Sequence, residues 1–306
     1  MTASFDAGFD IGGTDIKFGL VGRDGRIVRR GRVRSPETMA GILDALREAW
    51  ASLKAKAPGP VRSCGFGVAG FYSARKRRIL QSPNCPALDG YPLVPALRRF
   101  IEVPVRVHND ADMAAFGEFR HGAGRGARSL VLLTVGTGIG SGIVLGGKLW
   151  EGEDGFAGEL GHIPVNPEGE PCNCGARGCL ETEASAPKIV RDYLALSGRT
   201  GVTEAREVHA LARAGDPAAL ESFRRCAYWL GIGLGTVVNM LNPGLILLGG
   251  GVLAAGRLLL DPVVEEARRR SNPLPFAGCR IARAALGNDA GLIGAAAWAR
   301  LGAGRR

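Results

Sequence analysis

Short apolar segments separated by glycine turns occur twice in this chain, and this recurrence constrains the fold more than any other feature. Residues 6–34 alternate apolar runs with glycine turns, which predicts three strands joined in a meander. Residues 129–150 (SLVLLTVGTGIGSGIVLGGKLW) begin the same pattern again. We therefore expect two related α/β halves, and 306 residues are enough to build two cores.

Other segments fit this α/β organisation. Apolar residues recur at helical spacing over residues 39–55, and residues 104–119 are predicted to run from a strand into a helix. Residues 82–93 are rich in proline and glycine, which predicts a loop. Three further elements are predicted: a helix over 226–242, a buried strand over 244–252 that meets a glycine turn, and a strand, loop and helix over 280–302.

The composition is typical of a globular protein and excludes some classes of function. Apolar residues make up 46% of the chain, yet no run of about eighteen apolar residues occurs and the first residues lack a signal-peptide pattern. We therefore expect a cytoplasmic protein that does not bind a membrane. The basic residues behind the net charge of +10 are spread along the chain, with short clusters at 75–78, 268–270 and 305–306, and only 6% of the residues are aromatic. Because no aromatic residues interleave with these clusters, we do not expect nucleic-acid binding.

Four potential metal ligands, His162, Cys172, Cys174 and Cys179, lie within eighteen residues of one another. One imidazole and three thiolates form a closed tetrahedral set, which suits a structural Zn²⁺. The alternative is a group of buried free cysteines or a disulfide. The clustering favours zinc, because the other four cysteines are scattered along the chain.

Two glycine turns in corresponding halves predict a nucleotide site. The segment DIGGT begins at Asp10, which could organise a divalent ion, and its glycines expose backbone amides to an anion. Either turn alone could be purely structural, but two in matching positions favour a nucleotide held between domains. A third glycine segment, Gly249 to Gly251, is expected to lie against the adenine ring of the nucleotide. The predicted nucleotide-binding residues are Asp10, Gly12, Gly13, Thr14, Gly136, Thr137, Gly138, Gly249, Gly250 and Gly251.

Two other nucleotide motifs are partly matched and are rejected. Gly142, Gly147 and Lys148 fit a P-loop, but Leu149 replaces the hydroxyl residue that binds Mg²⁺, and the segment is predicted as a hairpin. Residues 249–254 fit a relaxed dinucleotide pattern without a clear βαβ unit.

The order of motifs DIGGT, SPN, HNDA, VGTGIGSG, GELGH, CNCGARGCLE and LGGG resembles the ROK family of sugar kinases and repressors, within the actin-like ATPase superfamily. This resemblance spans nearly the whole chain and implies two actin-like (ribonuclease H-like) α/β domains with ATP and a sugar in the cleft between them. It implies a smaller domain over 1–110 plus about 291–306, and a larger domain over 111–290 that carries the cysteine loop. The chain departs from the family pattern at Asp15, where many relatives carry lysine, and we expect this change to affect nucleotide affinity.

The resemblance also implies an ATP- and Mg²⁺-dependent hexose kinase that acts at the 6-hydroxyl. Asp110 is predicted to be the general base, because phosphoryl transfer to a hydroxyl needs a proton acceptor. The alternative explanation for an Asn-Asp pair after a strand is a helix N-cap, and the alternative for Glu159 and Glu181 is an ordinary surface carboxylate. The predicted sugar-binding residues are Asn84, Asn109, Asp110, Glu159, His162 and Glu181.

If one ring nitrogen of His162 binds zinc, the other is left as an N–H donor with a fixed orientation. The remaining histidines, His108, His121 and His209, are interpreted as one packing residue and two surface residues respectively.

Several alternatives stay open from the sequence. Glucose is the first choice of substrate, followed by N-acetylglucosamine, N-acetylmannosamine, allose and fructose. A catalytically silent sugar sensor of the same family is a second class of function. A repressor is not expected, because the DIGGT motif begins so near the first residue, and the acidic residues of the cysteine loop argue against zinc-mediated nucleic-acid binding. A homodimer is expected from the family resemblance.

Overall fold

The computed structural model describes residues 3–73, 75–76 and 78–303. Arg77 and residues 305–306, which belong to the basic clusters, lie outside the described residues, as do the ends of the smaller predicted domain. The chain divides into two compact units. The first contains Met1–Gly126, Gly142–Gly158 and Ala285–Arg306, and the second contains Ala127–Ser141 and Glu159–Ala284.

Strands and α-helices are mixed along the described residues, so the protein belongs to the α/β class. The strands are β1 Phe5–Ile11, β2 Asp15–Val21, β3 Ile27–Arg34, β4 Val61–Val68, β5 Phe71–Ser73, β6 Arg78–Gln81, β7 Val105–Asn109, β8 Leu130–Val135, β9 Ile139–Leu145, β10 Lys148–Leu149, β11 Leu245–Gly249 and β12 Arg280–Arg283. The helices are α1 Met39–Ala55, α2 Leu93–Leu97, α3 Asp110–His121, α4 Leu180–Ala184, α5 Ala186–Ser197, α6 Ala205–Arg213, α7 Pro217–Leu241, α8 Arg257–Arg270, α9 Pro273–Ala277 and α10 Ala290–Ala303.

The first unit is built on a five-stranded sheet of order β3-β2-β1-β4-β7. The predicted meander forms its antiparallel part, with Asp10 opposite Lys17, and β4 and β7 continue the sheet in parallel. Helix α1 covers one face of this sheet with an apolar stripe that includes Trp50. Within the same core Phe9 stacks on Phe66, with ring centroids 4.6 Å apart.

Helix α10 packs against the first sheet and against α3 through small residues. A Cβ atom at Gly65 would lie 1.9 Å from the carbonyl oxygen of Ala295, and one at Gly294 would lie 1.7 Å from that of Met113. Only glycine permits backbones to approach this closely. This packing explains why the last predicted helix is so rich in glycine and alanine.

A buried ion pair also holds α10 to the first sheet. Nε of Arg300 lies 2.6 Å from Oδ2 of Asp6, and the hydroxyl of Ser63 donates to the other carboxylate oxygen at 2.6 Å. The same guanidinium donates to the carbonyl oxygen of Gly22 at 3.1 Å. All these groups lie in the first unit, so the ion pair connects its earliest strand to its last helix.

The second sheet has the order β10-β9-β8-β11-β12. Strand β11 runs parallel to both of its neighbours, with Leu245 opposite Leu130 on one side and Arg280 on the other. Helix α7 is 25 residues long and buries many of its side chains in this unit. It begins earlier than the predicted helix over 226–242, because Asp216 caps it by accepting hydrogen bonds from the amides of Ala218 and Ala219.

The bounds of the two compact units differ from the predicted domain bounds at α3 and at residues 142–158. Helix α3 groups with the first unit, whereas the prediction began the larger domain at residue 111. Its packing supplies the reason, since a Cβ atom at Gly117 would lie 2.3 Å from the carbonyl oxygen of Ala290 in α10. Residues 142–158 group with the first unit as well. Within the predicted loop over 82–93 the structure forms a short 3₁₀ turn and the start of α2.

None of the helices in the described part of the chain combines the length and apolar character needed to cross a membrane.

Candidate active site

The first predicted nucleotide turn joins β1 to β2 and packs against the loop that carries Asn84. The amide of Gly12 donates to the carbonyl oxygen of Asp15 at 3.0 Å, and the hydroxyl of Ser35 donates to that of Gly12 at 2.6 Å. A Cβ atom at Gly13 would lie 2.2 Å from the carbonyl oxygen of Asn84. The turn therefore depends on glycine at position 13, and it is held in a fixed position beside Asn84.

Two aspartates flank this turn, and each is paired with a cation. Oδ2 of Asp10 lies 3.1 Å from Nζ of Lys17, and Oδ2 of Asp15 lies 2.5 Å from the guanidinium of Arg32. The hydrogen bond from Arg32 lowers the pKa of Asp15. Asp15, where the family resemblance leads us to expect lysine, is thus paired with an arginine that neutralises its charge.

The HNDA segment places Asn109 at the N-cap of α3 and Asp110 at its first turn. The side-chain oxygen of Asn109 accepts hydrogen bonds from the amides of Ala111 at 2.8 Å and Asp112 at 3.0 Å, and its Nδ2 donates to the carbonyl oxygen of Gly70 at 3.1 Å. The capping interpretation is therefore correct for Asn109. Asp110 is not the cap, so its carboxylate is not required for the same structural task.

Asp110 lies in an environment that disfavours its charged form. Burial raises its pKa, and the negative charge of Asp10 raises it further, to about 7. The amide of Ala111 donates to Oδ1 at 2.9 Å and opposes this shift. A carboxylate with a pKa near 7 is well suited to accept a proton from a hydroxyl group and to release it again.

The second glycine turn joins β8 to β9, and Glu181 holds it in place. The amide of Gly136 donates to the carbonyl oxygen of Gly138 at 2.9 Å. Oε2 of Glu181 accepts a hydrogen bond from the amide of Ile139 at 2.7 Å, and a Cβ atom at Gly138 would lie 2.4 Å from this same oxygen. Glu181 therefore connects α4 to the turn, a contact that the sequence did not predict.

A cavity of about 720 Å³ opens beside this turn within the second unit. Its lining includes Gly136, Thr137 and Gly251, together with Arg191 from α5 and His209 from α6. The volume lies in the range of pockets that bind nucleotide-sized ligands.

The third glycine segment contributes to this cavity through one residue only. Gly251 lines it, and a Cβ atom there would have no described atom within 4 Å. Gly250 has a positive φ of 87°, and a Cβ atom there would lie 2.3 Å from the carbonyl oxygen of Val135. Gly249 ends strand β11. Gly250 therefore allows the chain to turn after the strand, and Gly251 borders the cavity.

His162, Cys172, Cys174 and Cys179 come together in the second unit, with all their ligand atoms within 4.8 Å of one another. The sulfurs of Cys174 and Cys179 are 3.6 Å apart, and Nδ1 of His162 is 3.6 Å from the sulfur of Cys172. Four donors about 2.3 Å from one zinc ion would be about 3.8 Å apart in a tetrahedron. A disulfide would need about 2.05 Å. The geometry of the donor set therefore fits a tetrahedral metal and not a disulfide.

The orientation of His162 leaves its second ring nitrogen on the side of Glu159. Nδ1 faces Cys172, and Nε2 lies 4.0 Å from Oε2 of Glu159. If Nδ1 binds a metal, Nε2 carries the proton and is directed toward this carboxylate.

Comparison with known proteins assigns the chain to a family. The model of the ROK family matches residues 6–301. The chain belongs to the ROK family. This ROK protein is 36% identical to the glucokinase of Streptomyces coelicolor over 96% of both chains, and 33% identical to an N-acetylmannosamine kinase of Escherichia coli over 94% of this chain and 95% of that one.

A solved structure shows the same fold. The ROK family glucokinase from Streptomyces griseus, in complex with glucose and AMPPNP, is 37% identical and superposes with a TM-score of 0.82, covering 97% of this chain and 99% of that one. The prediction of the actin-like α/β fold is thereby confirmed.

The predicted site residues of this ROK protein fall into two groups, one on each unit. On the first unit lie Asp10, Gly12, Gly13, Thr14, Asn84, Asn109 and Asp110, and on the second lie Gly136, Thr137, Gly138, Glu159, His162, Cys172, Cys174, Cys179, Glu181, Gly249, Gly250 and Gly251. Within the first group the carboxylates of Asp10 and Asp110 are close enough to repel each other. Within the second, Glu181 follows the metal-ligand cluster in the chain and contacts the glycine turn.

Sequence reasoning missed some residues at these sites. His209 was interpreted as a surface residue, but it lines the cavity and packs edge-on against Phe223 at 6.0 Å. The interpretation of His121 is also wrong, because its ring packs on Gly25 and its Nε2 is buried. Nothing in the sequence around His209 indicates that a cavity borders this face of α6. His108 is buried, as the packing interpretation expects, but it also forms hydrogen bonds.

Proposed function

We propose that this ATP-dependent sugar kinase phosphorylates the 6-hydroxyl of a hexose, with glucose as the first candidate substrate. The observation that carries the proposal is Asp110, a carboxylate in the first turn of α3 with a pKa near 7 and without a capping role. It follows Asn109 at the end of β7, in the same unit as the first glycine turn. This is the chemistry expected of a general base that acts on a hydroxyl group.

In the proposed reaction the hydroxyl oxygen of the sugar forms a bond with the γ-phosphorus of ATP. The bond between this phosphorus and the bridging oxygen breaks, and ADP leaves with the electron pair. Asp110 accepts the hydroxyl proton as the new bond forms and later releases it to water. The transition state has little covalent character, so the alignment of the hydroxyl with the phosphorus contributes most of the rate.

The nucleotide is proposed to place its base in the cavity of the second unit, bordered by Gly251 and His209. The amides of Gly12 and Gly136 already bond within their turns. The remaining amides of the two glycine turns are suited to phosphate oxygens, because glycine has no side chain to cover them. Mg²⁺ accompanies ATP in kinases of this kind and neutralises phosphate charge. Asp10 is the residue proposed to hold it, since its carboxylate flanks the first turn and the ion pair with Lys17 uses its Oδ2.

The metal at His162, Cys172, Cys174 and Cys179 is proposed to be a structural zinc ion. Three sulfur ligands favour zinc over magnesium or calcium, and four protein ligands leave no position for a reactive water. Its role would be to fix His162, so that Nε2 and the neighbouring Glu159 contact sugar hydroxyls. Asn84, Asn109 and Glu181 remain the other predicted sugar contacts.

N-acetylmannosamine is the second candidate substrate, because an N-acetylmannosamine kinase is similar to this chain over nearly its full length. A homodimer and a cytoplasmic location remain predictions from the sequence.

The test is ADP release by the purified protein with ATP and Mg²⁺, measured with glucose, N-acetylglucosamine, N-acetylmannosamine, allose and fructose. We expect strong turnover with glucose. Preference for N-acetylmannosamine would support the second candidate. No turnover with any of the five, by folded protein that contains zinc, would contradict the proposal and favour a sugar sensor.

A further inference from the structure

A cluster of His108, Asp112 and Glu151 lies next to the proposed base and has no role in the mechanism described above; His108 and Asp112 are buried, and Glu151 is half-buried. His108 is the residue two before Asp110 and is only 3% exposed. Its Nε2 lies 2.7 Å from Oε1 of Glu151, and its Nδ1 lies 3.2 Å from Oδ2 of Asp112. The cluster connects β7, the first turn of α3 and the segment that follows β10, all within the first unit.

The charged groups that face this imidazole come from two sides. Asp112 approaches from α3 and Glu151 from the segment after β10. Helix α10 contributes the uncharged ring of Trp298, which meets the imidazole edge-on at 5.5 Å. Arg106 of β7 stacks on Trp298, with its guanidinium 4.0 Å from the centre of the ring. The hydrogen bond from His108 lowers the pKa of Glu151, and the positive charge of Arg106 lowers it further.

The imidazole can form two alternative sets of hydrogen bonds. When both ring nitrogens carry protons, Nδ1 donates to Asp112 and Nε2 donates to Glu151. When the ring is neutral and keeps its proton on Nε2, Nδ1 instead accepts from the amide of Asn109, which lies 2.9 Å away. Asp112 then loses its ring donor, although its Oδ1 is already buried without a hydrogen-bond partner among the described residues. An unsatisfied buried carboxylate is unfavourable, so the charged ring is preferred.

The pKa of His108 agrees with this geometry. Burial lowers it, but the hydrogen bonds to Asp112 and Glu151 and the charges of these carboxylates raise it by more, to about 9. The ring is therefore a cation at neutral pH, and it exchanges its contact with Asp112 for the contact with the Asn109 amide as the pH rises. Asn109 caps the helix on which Asp110 lies, so this exchange occurs at the peptide that positions the base.

We propose that His108 is a positioning residue for phosphoryl transfer: its cationic ring ties the segment at Glu151 to the first turn of α3 and so holds Asp110 in its working orientation. This inference rests on the proposed function, because it takes Asp110 to be the general base. His108 itself does not contact the reacting atoms.

The experiment compares Glu151→Gln with Glu153→Gln across pH. Glutamine keeps the shape of Glu151 but removes its charge, so the ring loses its proton at lower pH. We expect the alkaline fall in kcat to lie near pH 9 in the wild-type enzyme and to move to lower pH in Glu151→Gln. At pH 8.5 the kcat of this variant is expected to be reduced by about tenfold, with an unchanged KM for ATP. Glu153 is an exposed residue of the same segment, so Glu153→Gln should match the wild-type profile.

A kcat that falls by the same factor at every pH, with the alkaline fall unmoved, would show a purely structural role and overturn the inference. His108→Gln provides a second variant, for which we expect low kcat at all pH values. Should both variants fail to fold, the imidazole can be titrated in the wild-type protein by NMR, where a midpoint near 6.5 overturns the inference and one near 9 supports it. Absence of wild-type turnover with every sugar would overturn the proposed function, whereas normal turnover with an unmoved alkaline fall would overturn only the role of His108.

Discussion

Replacement of Asp110 by asparagine is the most direct perturbation of the proposed mechanism. Asparagine retains a side-chain oxygen that can accept the hydrogen bond from the amide of Ala111, which is 2.9 Å from Oδ1 in the structure. The variant therefore loses the proton acceptor with little change in local structure. A positioned general base contributes about 10²- to 10⁴-fold to the rate. We expect kcat to fall by about this factor while sugar binding is retained.

The pH dependence of the wild-type enzyme provides the second part of this prediction. With a pKa of about 7, roughly a tenth of Asp110 is ionised at pH 6 and roughly nine tenths at pH 8. Since only the ionised form accepts a proton, kcat/KM should rise by about tenfold between these pH values. In the Asp110→Asn variant the residual rate should not show this rise.

Stability should change in the opposite direction to activity. The folded pKa of Asp110 lies above its ordinary value of 3.8, so the carboxyl favours the folded state while protonated, and this advantage is lost as the pH rises through about 7. At pH 8 the buried charge is unfavourable. Asp110→Asn should therefore raise the free energy of unfolding at pH 8 by about 1 to 3 kcal/mol, and the difference should vanish near pH 4.

The assays are coupled detection of ADP, calorimetric titration with the sugar, and urea unfolding at pH 4 and pH 8. An Asp110→Asn variant with a kcat within a few-fold of wild type would refute the role of the base. An acid limb centred near pH 4 in the wild-type enzyme would instead refute the argument that burial and Asp10 shift the pKa of Asp110.

Three further predictions concern the nucleotide cavity, the last helix and the metal site. Gly251→Val should fill part of the cavity and raise the KM for ATP by about tenfold without lowering the melting temperature, because a Cβ atom at this position would meet no described atom within 4 Å. An unchanged KM would show that the base does not bind in this cavity. Arg300→Met should lower the free energy of unfolding by about 3 kcal/mol, since it leaves the buried carboxylate of Asp6 without its ion pair. Arg257→Met, which breaks an exposed ion pair, should lower it by less than about 1 kcal/mol. Equal losses in urea unfolding would contradict this reasoning. Cys174→Ser should lose zinc and weaken sugar binding, whereas Cys279→Ser should retain both; full zinc content in Cys174→Ser, measured by mass spectrometry, would show that this residue is not a ligand.

The elements predicted with most success are those whose pattern is local. The helix over Met39–Ala55 and the meander from β1 to β3 are confirmed, because apolar periodicity and glycine turns are encoded within each segment. The ligand cluster in the cysteine loop comes together as expected for the same reason, since all four residues lie on one short stretch of chain.

Contacts between segments that are far apart in the sequence could not be predicted from such local patterns. Glu151 is 43 residues from His108, and nothing in the spacing of either residue indicates that they form a hydrogen bond. The cavity beside Gly251 is similar, because it forms where the ends of several helices and a glycine turn meet. Motif order identified the family and predicted the base, but the environment that tunes each side chain depends on tertiary packing.

The packing of α10 has a consequence for the nascent chain on the ribosome. The helix that covers β1 and β4 is translated more than 200 residues after β4. At a translation rate of about 5 to 20 residues per second, this face of the sheet would remain exposed for about 10 to 40 s before α10 is synthesised. Residues 159–284 emerge complete during that interval and can fold earlier. The part of the protein translated first is therefore expected to finish folding last, and during that wait it is the part that most needs protection by chaperones.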